Sequence, residues 1–253
     1  MFNQWQVTNV GFTGGNLTYI SHNSAGAEIL VSTTAYPGCG IVSGTLRTAR
    51  TAIGDAYVCL RPSDAGGLDS NGYAFGQIQA TSEQLLNRGD DGDLQNTAPM
   101  NWGITAMQSA KNLTLGVTCY AFMADTVNYG NFYRLCKMTD GPSNSFGGSL
   151  ASTYTLLATT PSLAWSIGTV HNMSLTWFSD PYFLKGTWLE AVVNNTLIFS
   201  IVHTGLDAIV STTSEGQSIY ATGGTNVGVI QWTKTALRKG TVTSINGNPY
   251  PPI

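Results

Sequence analysis

Residues 186–205 read GTWLEAVVNNTLIFSIVHTG. Apolar residues alternate up to Val193, two asparagines intervene, and an apolar stretch resumes at Leu197. Period-two runs of this length mark strands, and a two-residue break between them marks a hairpin. Asn194 and Asn195 suit the break, because Asn tolerates the positive φ that such turns need. With that turn Val193 pairs with Thr196, and Glu190 falls opposite Phe199. One face then carries Trp188, Glu190, Val192, Leu197, Phe199 and Ile201. The other carries Leu189, Ala191, Val193, Ile198, Ser200 and Val202. Both faces are apolar, which predicts a strand pair covered on both sides.

The rest of the chain follows the same pattern. Short runs rich in Val, Ile, Thr, Tyr and Trp alternate with clusters of Gly, Asn and Asp, the signature of a sandwich or barrel. Strands are expected at 27–33, 40–48, 55–61, 72–80, 113–122, 130–138, 153–158, 172–178, 186–193, 196–203 and 226–233. The best helix candidate is SEQLLNRGDD at 82–91. Eleven strands without a visible linker predict one large antiparallel β-sandwich, an all-β jelly roll with very little helix, over residues 1–240. Residues 241–253 differ: Pro249, Tyr250, Pro251 and Pro252 predict an extended polyproline arm for assembly with a neighbouring molecule.

Composition narrows the partners. The chain has 253 residues, of which 10% are charged, and a formal net charge of −3. Ordinary soluble domains carry roughly 25% charged residues. Nothing here attracts a phosphate backbone, so nucleic acid is not an expected partner. Low charge weakens self-repulsion and favours association of the chain with itself. No run approaches the roughly 20 apolar residues of a membrane helix. The opening, MFNQWQVTNV, has neither the basic nor the apolar region of a secretory signal. Synthesis in a cytosol is therefore expected, with secretion as the alternative.

Cys39, Cys59, Cys119 and Cys136 show no C-x-x-C spacing, and His22, His171 and His203 are the only histidines. A zinc site is not expected. The cysteines read as small buried hydrophobes. Disulfides are the alternative, since a hairpin turning near Val127–Asn128 would set Cys119 opposite Cys136.

The order of these pieces resembles the concanavalin A-like, or laminin G-like, jelly roll. The resemblance rests on YVCLRPSD…NGYAFGQI and MADTVNYGNFYRL, then NMSLTWF, then GTWLEAVVNNTLIFSIVH, an Asp-bearing loop and GGTNVGVIQW. It spans about residues 40–232 and is clearest at 172–232. That family includes lectins, glucan hydrolases, adhesion modules and domains of bacteriophage particles, so the resemblance carries fold better than function.

Glu190 is the candidate for chemistry. A carboxylate among Trp and Phe side chains has the setting wanted of a general acid. Glycoside hydrolysis needs two carboxylates roughly 5–10 Å apart, and the E-x-D-x-E strand of the family's glucanases is absent. Asp180 and Asp207 are the nearest partners in sequence. No catalytic site is therefore expected. Asp90, Asp91 and Asp93 in RGDDGDLQN offer oxygen ligands for Ca²⁺, but without the spacing or bidentate Glu of an EF-hand. A structural turn is the expectation there, with no metal or other cofactor. WFSDPYF at 177–183 concentrates aromatics in an expected loop, making Trp177, Tyr182 and Phe183 the contact residues for glycan or protein. The first functional expectation is a structural protein of a bacteriophage virion, a decoration, fibre or tail component made in the host cytoplasm. It would assemble with itself and other virion proteins. The alternative is a lectin-like module that attaches to host-surface glycans, and a glycoside hydrolase ranks third.

Overall fold

A computed structural model describes residues 5–6, 20–22, 28–29, 40–42, 45–49, 57–62, 74–88, 100–109, 118–126, 131–139, 154–180, 184–210, 216–223, 227–239, 244–245 and 248–249. Among these residues every regular element is a strand. The chain begins with β1 (Trp5–Gln6), β2 (Ile20–His22), β3 (Glu28–Ile29), β4 (Gly40–Val42), β5 (Thr45–Ala49) and β6 (Tyr57–Pro62). It continues through β7 (Ala74–Arg88), β8 (Met100–Gln108), β9 (Cys119–Asp125), β10 (Phe132–Met138), β11 (Tyr154–Thr159) and β12 (Val170–Asp180). It ends with β13 (Gly186–Val193), β14 (Thr196–Thr204), β15 (Gly216–Gly223), β16 (Val227–Lys239), β17 (Ser244–Ile245) and β18 (Asn248–Pro249).

Two large antiparallel sheets face each other. The nine-stranded sheet runs β11-β10-β9-β8-β15-β6-β2-β3, with β1 also on β6. The seven-stranded sheet runs β14-β13-β12-β7-β16-β5-β4. Their inner faces supply the core. Trp102, Ile104, Tyr120, Phe122 and Leu135 come from one sheet, and Ile78, Leu175, Leu189, Ala191 and Trp232 from the other; all are fully buried. At about 25 cal/mol per Å² of apolar surface, such side chains supply the main drive for folding.

The helix candidate is part of a strand instead. Ser82 to Arg88 continue β7, which pairs with β12 through Glu83↔Val170 and with β16 through Arg88↔Val227. Pairing with β16 as far as Arg88 overrides the local helical propensity of Glu-Gln-Leu-Leu. Six strands, β1, β2, β8, β15, β17 and β18, fall outside the expected set.

The 186–205 hairpin forms with its expected turn. Asn194 and Asn195 have φ of 50° and 64°, and Val193 pairs with Thr196. The register then shifts: Val192 pairs with Leu197, but Ala191 pairs with Phe199. Ile198 is therefore an extra residue, a β-bulge. Beyond it Glu190 lies opposite Ser200, not Phe199. The bulge exchanges the faces: Phe199 and Ile201 join Leu189 and Ala191 on the core, while Ser200 and Val202 join Glu190 outside. The outer face is not covered as the alternation predicts, since Leu197 is 55% and Val202 49% exposed.

A matching bulge lies in the other sheet. Leu135 pairs with Ala158 but Cys136 with Leu156, which leaves Leu157 extra in β11. Strands β11 and β14 end their sheets on the same side of the sandwich, where Phe122 of β9 meets Phe199 edge-on at 6.2 Å. Both bulge residues, Leu157 and Ile198, pack against the core.

The β9–β10 hairpin pairs Cys119 with Met138 and Cys136 with Ala121. Its turn is centred one residue later than expected, so the cysteines stand diagonally rather than opposite, and both are free and buried. Burial pushes both thiols up from their ordinary pKa. Near the C-terminus, Asn248–Pro249 pairs with Ser244–Ile245. Pro249 thus belongs to a short hairpin and not to an extended arm; the intervening Asn246-Gly247 is a hairpin signal. Tyr250, Pro251 and Pro252 lie outside the described residues.

Candidate functional site

The two sheets differ on their outer faces. On the nine-stranded sheet the outward residues of β9 and β10 are closed off: Cys119, Ala121, Met123, Asp125, Cys136 and Met138 are fully buried. Asp125 and Arg134 form an ion pair at 2.9 Å there. On the seven-stranded sheet the outward residues are half-buried on β7 and β13 and become exposed at β14. On β12 the outward Thr176, Phe178 and Asp180 are buried, so the accessible part of this face is its β13–β14 end.

Antiparallel pairing lines those side chains into rows. One row runs Gln77, Thr176, Glu190, Ser200 across four strands. The next runs Gln79, Ser174, Val192, Leu197. Gln77 Nε2 donates to Thr176 Oγ1 at 3.0 Å, and Gln79 Nε2 to Asn172 Oδ1 at 2.8 Å. Trp188 Nε1 donates to Ser200 Oγ at 3.1 Å, which fixes the indole beside Glu190. Asn194 closes the end of the face: its Oδ1 accepts from the Asn172 amide at 2.9 Å and its Nδ2 donates to Val170 O at 3.1 Å. The surface offers amide and hydroxyl donors and acceptors, one carboxylate and one flat aromatic ring.

Neither aspartate named with Glu190 joins it. Asp180 lies on β12 four residues beyond Thr176, the partner of Glu190. At 3.3–3.4 Å per residue that is roughly 13 Å along the strand, beyond the roughly 5–9.5 Å spacing of glycosidase carboxylates. Its side chain is buried and accepts the Leu184 amide at 3.2 Å. Asp207 sits in the turn after β14, within 3.5 Å of His203 Nε2 and 3.9 Å of Lys137 Nζ.

Trp177 is not a contact residue. The strand expected to end at 178 runs on to Asp180, and Trp177 is 3% exposed inside it. It points inward over Gly76, where any Cβ would collide with the indole. Tyr182 and Phe183 lie outside the described residues, as do Asp90, Asp91 and Asp93. Among the described residues no group of three or more His, Cys, Asp or Glu converges on a metal position.

Two histidine–tyrosine pairs are absent from the sequence reading. The Tyr133 hydroxyl and His171 Nδ1 share a hydrogen bond of 2.6 Å in the core, among Trp165 and Trp102. His171 Nε2 and Trp165 Nε1 are buried there with no hydrogen-bond partner. Burial lowers the His171 pKa to about 4. The second pair joins Tyr120 to His203 Nδ1 at 2.9 Å. Tyr120 Oη also accepts the Ile209 amide at 2.9 Å, and burial raises its pKa to about 12. Neither pair has a local sequence signal, because each joins residues from strands far apart in the chain.

Two antiparallel sheets packed in this order form an all-β sandwich of the jelly-roll kind. Solved structures share it. The potassium-bound carbohydrate recognition domain of Emp46p superposes with a TM-score of 0.51 at 9% identity, over 88% of this chain and 89% of that one. A double mutant of the alginate lyase Aly36B in complex with alginate tetrasaccharide gives a TM-score of 0.50 at 11% identity, over 88% and 98%. A carbohydrate recognition domain and an alginate lyase thus share this architecture, and at these identities the likeness is one of fold alone. No protein-family model matches the chain, and no curated protein sequence matches it.

Proposed function

We propose that this chain is a carbohydrate-binding jelly-roll module that serves attachment to a glycan-bearing surface. The observation that carries the reading is the row Gln77–Thr176–Glu190–Ser200 with Trp188 beside it. Sugars present hydroxyls at their edges and C–H groups on their faces; amides, hydroxyls and a carboxylate match the first, and an indole the second. The fold shared with a carbohydrate recognition domain and with an alginate-bound lyase supports the reading. Affinity electrophoresis on a panel of polysaccharides tests it: retardation by at least one is expected, and none retarding the protein removes the proposal. A lytic or hydrolytic activity is the less favoured version, since neither Asp180 nor Asp207 approaches Glu190.

The second reading is a structural component of a bacteriophage virion, made in the host cytoplasm and assembled with itself and other virion proteins. It is favoured by the low charge and by exposed Leu197, Val202 and Leu206 at the β14 end. The two readings are compatible, because a module on a particle can carry the glycan contact. Light scattering tests the assembly: a stable monomer at high concentration would speak against it.

A further inference from the structure

We infer that the Glu190 end of the outer face takes an uncharged pyranose ring, and that the Glu190 carboxylate accepts the hydroxyls that fix it. The inference rests on the carbohydrate reading and names the class of sugar. Glu190 stands between two hydroxyls in its row, Thr176 on one side and Ser200 on the other. Trp188 and Val192 flank it along β13, and Leu197 and Val202 continue that apolar frame on β14. A single acceptor framed by flat apolar surface fits a ring whose C–H face stacks while adjacent hydroxyls point at one carboxylate. An ionised carboxylate accepts through two oxygens, and bonds to a charged acceptor are the stronger ones. The Trp188–Ser200 bond holds the platform in place before a ligand arrives, so little ordering is left for binding.

Charge decides against an acidic sugar. Among the described side chains of this face the ionisable ones are Glu83, Glu190 and the buried Asp180, all acids. Lys234 and Arg238 stand at register positions opposite Thr81 and Gln77 on β16, three strands from Glu190. At 4.7–4.9 Å per strand the separation is roughly 14 Å, longer than the Debye length of about 8 Å at physiological salt. A uronate on Trp188 would meet the Glu190 charge two residues away, whereas the described cation before it on the chain, Lys185, is three residues from Trp188, roughly 10 Å at 3.3–3.4 Å per residue. A basic peptide would also seek a carboxylate beside an indole. It would leave unused the exposed Ser200 hydroxyl and the half-buried Gln77 amide, and the sugar is therefore the occupant argued for.

Calorimetric titration with neutral oligosaccharides (gluco-, galacto- and manno-series) and with oligouronates tests the inference, with oligolysine as a third ligand. A neutral series is expected to bind. Glu190→Gln is expected to weaken it about tenfold or more, through loss of a charge-assisted bond, and Trp188→Ala to weaken it further. Glu190→Asp, which keeps the charge, should recover part of the loss, and thermal melts establish that each variant is folded. Tighter binding of uronates than of neutral sugars overturns the inference and leaves the carbohydrate reading standing. Unchanged neutral-sugar binding in Glu190→Gln also overturns it. Binding of oligolysine with no sugar bound, or no binding at all, overturns both.

Discussion

His171 and His203 each bond through Nδ1 to a tyrosine hydroxyl, Tyr133 in one case and Tyr120 in the other. The chemistry is the same and the surroundings are opposite. His171 is walled in by Tyr133, Trp165 and Trp102, with no described acid at hand. Its Nε2 has no partner. The ring stays neutral and works as one more aromatic piece of the core. His203 instead has Asp207 at 3.5 Å and is 12% exposed. Its tyrosine also holds the Ile209 amide, while Thr187 Oγ1 donates to the Ile209 carbonyl. That pair ties the turn after β14 down onto β9. A histidine–tyrosine contact is therefore not a device in itself; the next residue out makes it mortar or latch.

Acid should separate the two most sharply. The unfolded chain protonates His171 near pH 6.5, whereas the folded chain resists until about pH 4. The unfolded state thus binds the extra proton first. The stability due to a neutral His171 is complete above pH 6.5 and is lost progressively as pH falls toward 4, by about 3 kcal/mol in all. Urea melts of wild type and His171→Phe across this range should differ in slope, the variant being flatter. Parallel curves would mean that His171 is protonated in the fold.

Removing the hydroxyls comes next in size. Tyr133→Phe leaves His171 Nδ1 without a partner in a dry site and is expected to lower stability by about 1–3 kcal/mol. Tyr120→Phe removes a bond at a wetter position and should lower it by about 1 kcal/mol or less, while speeding amide exchange at Ile209. Equal losses in chemical denaturation would erase the distinction drawn above.

Asp207→Asn should have the smallest effect. Asp207 is 55% exposed, and exposed ion pairs contribute about 0–1 kcal/mol. A change within 0.5 kcal/mol, shrinking further in high salt, is expected from thermal melts; a large, salt-resistant loss would make Asp207 part of the core.

What the sequence reveals follows from how local each requirement is. The turn at Asn194–Asn195 is legible because positive φ is a property of those two residues. The bulge at Ile198 is not. Every residue of Leu-Ile-Phe-Ser-Ile-Val except Ser200 is apolar, so alternation cannot say where an extra residue sits. Packing against β9 settles it. Glu190 is thus found on the right strand but among the wrong neighbours. Trp177 is misplaced for a different reason: the polar pair Ser179–Asp180 reads as the start of a loop, yet both residues still pair with β13. The jelly-roll order is legible because it depends on many runs at once, and errors at single strands such as β8 do not change it.

The two bulges bear on how such molecules behave when crowded. A row of free backbone amides and carbonyls at a sheet edge is a template on which another chain can polymerise. Here Leu157 and Ile198 each interrupt that template midway, in β11 and β14, so an incoming strand would lose step after a few bonds. Amyloid-like growth from this side is blocked by geometry rather than by charge, in a chain that has little charge to spend. The apolar stretch Leu197–Val202 can then stay at the surface of a concentrated solution without seeding fibres.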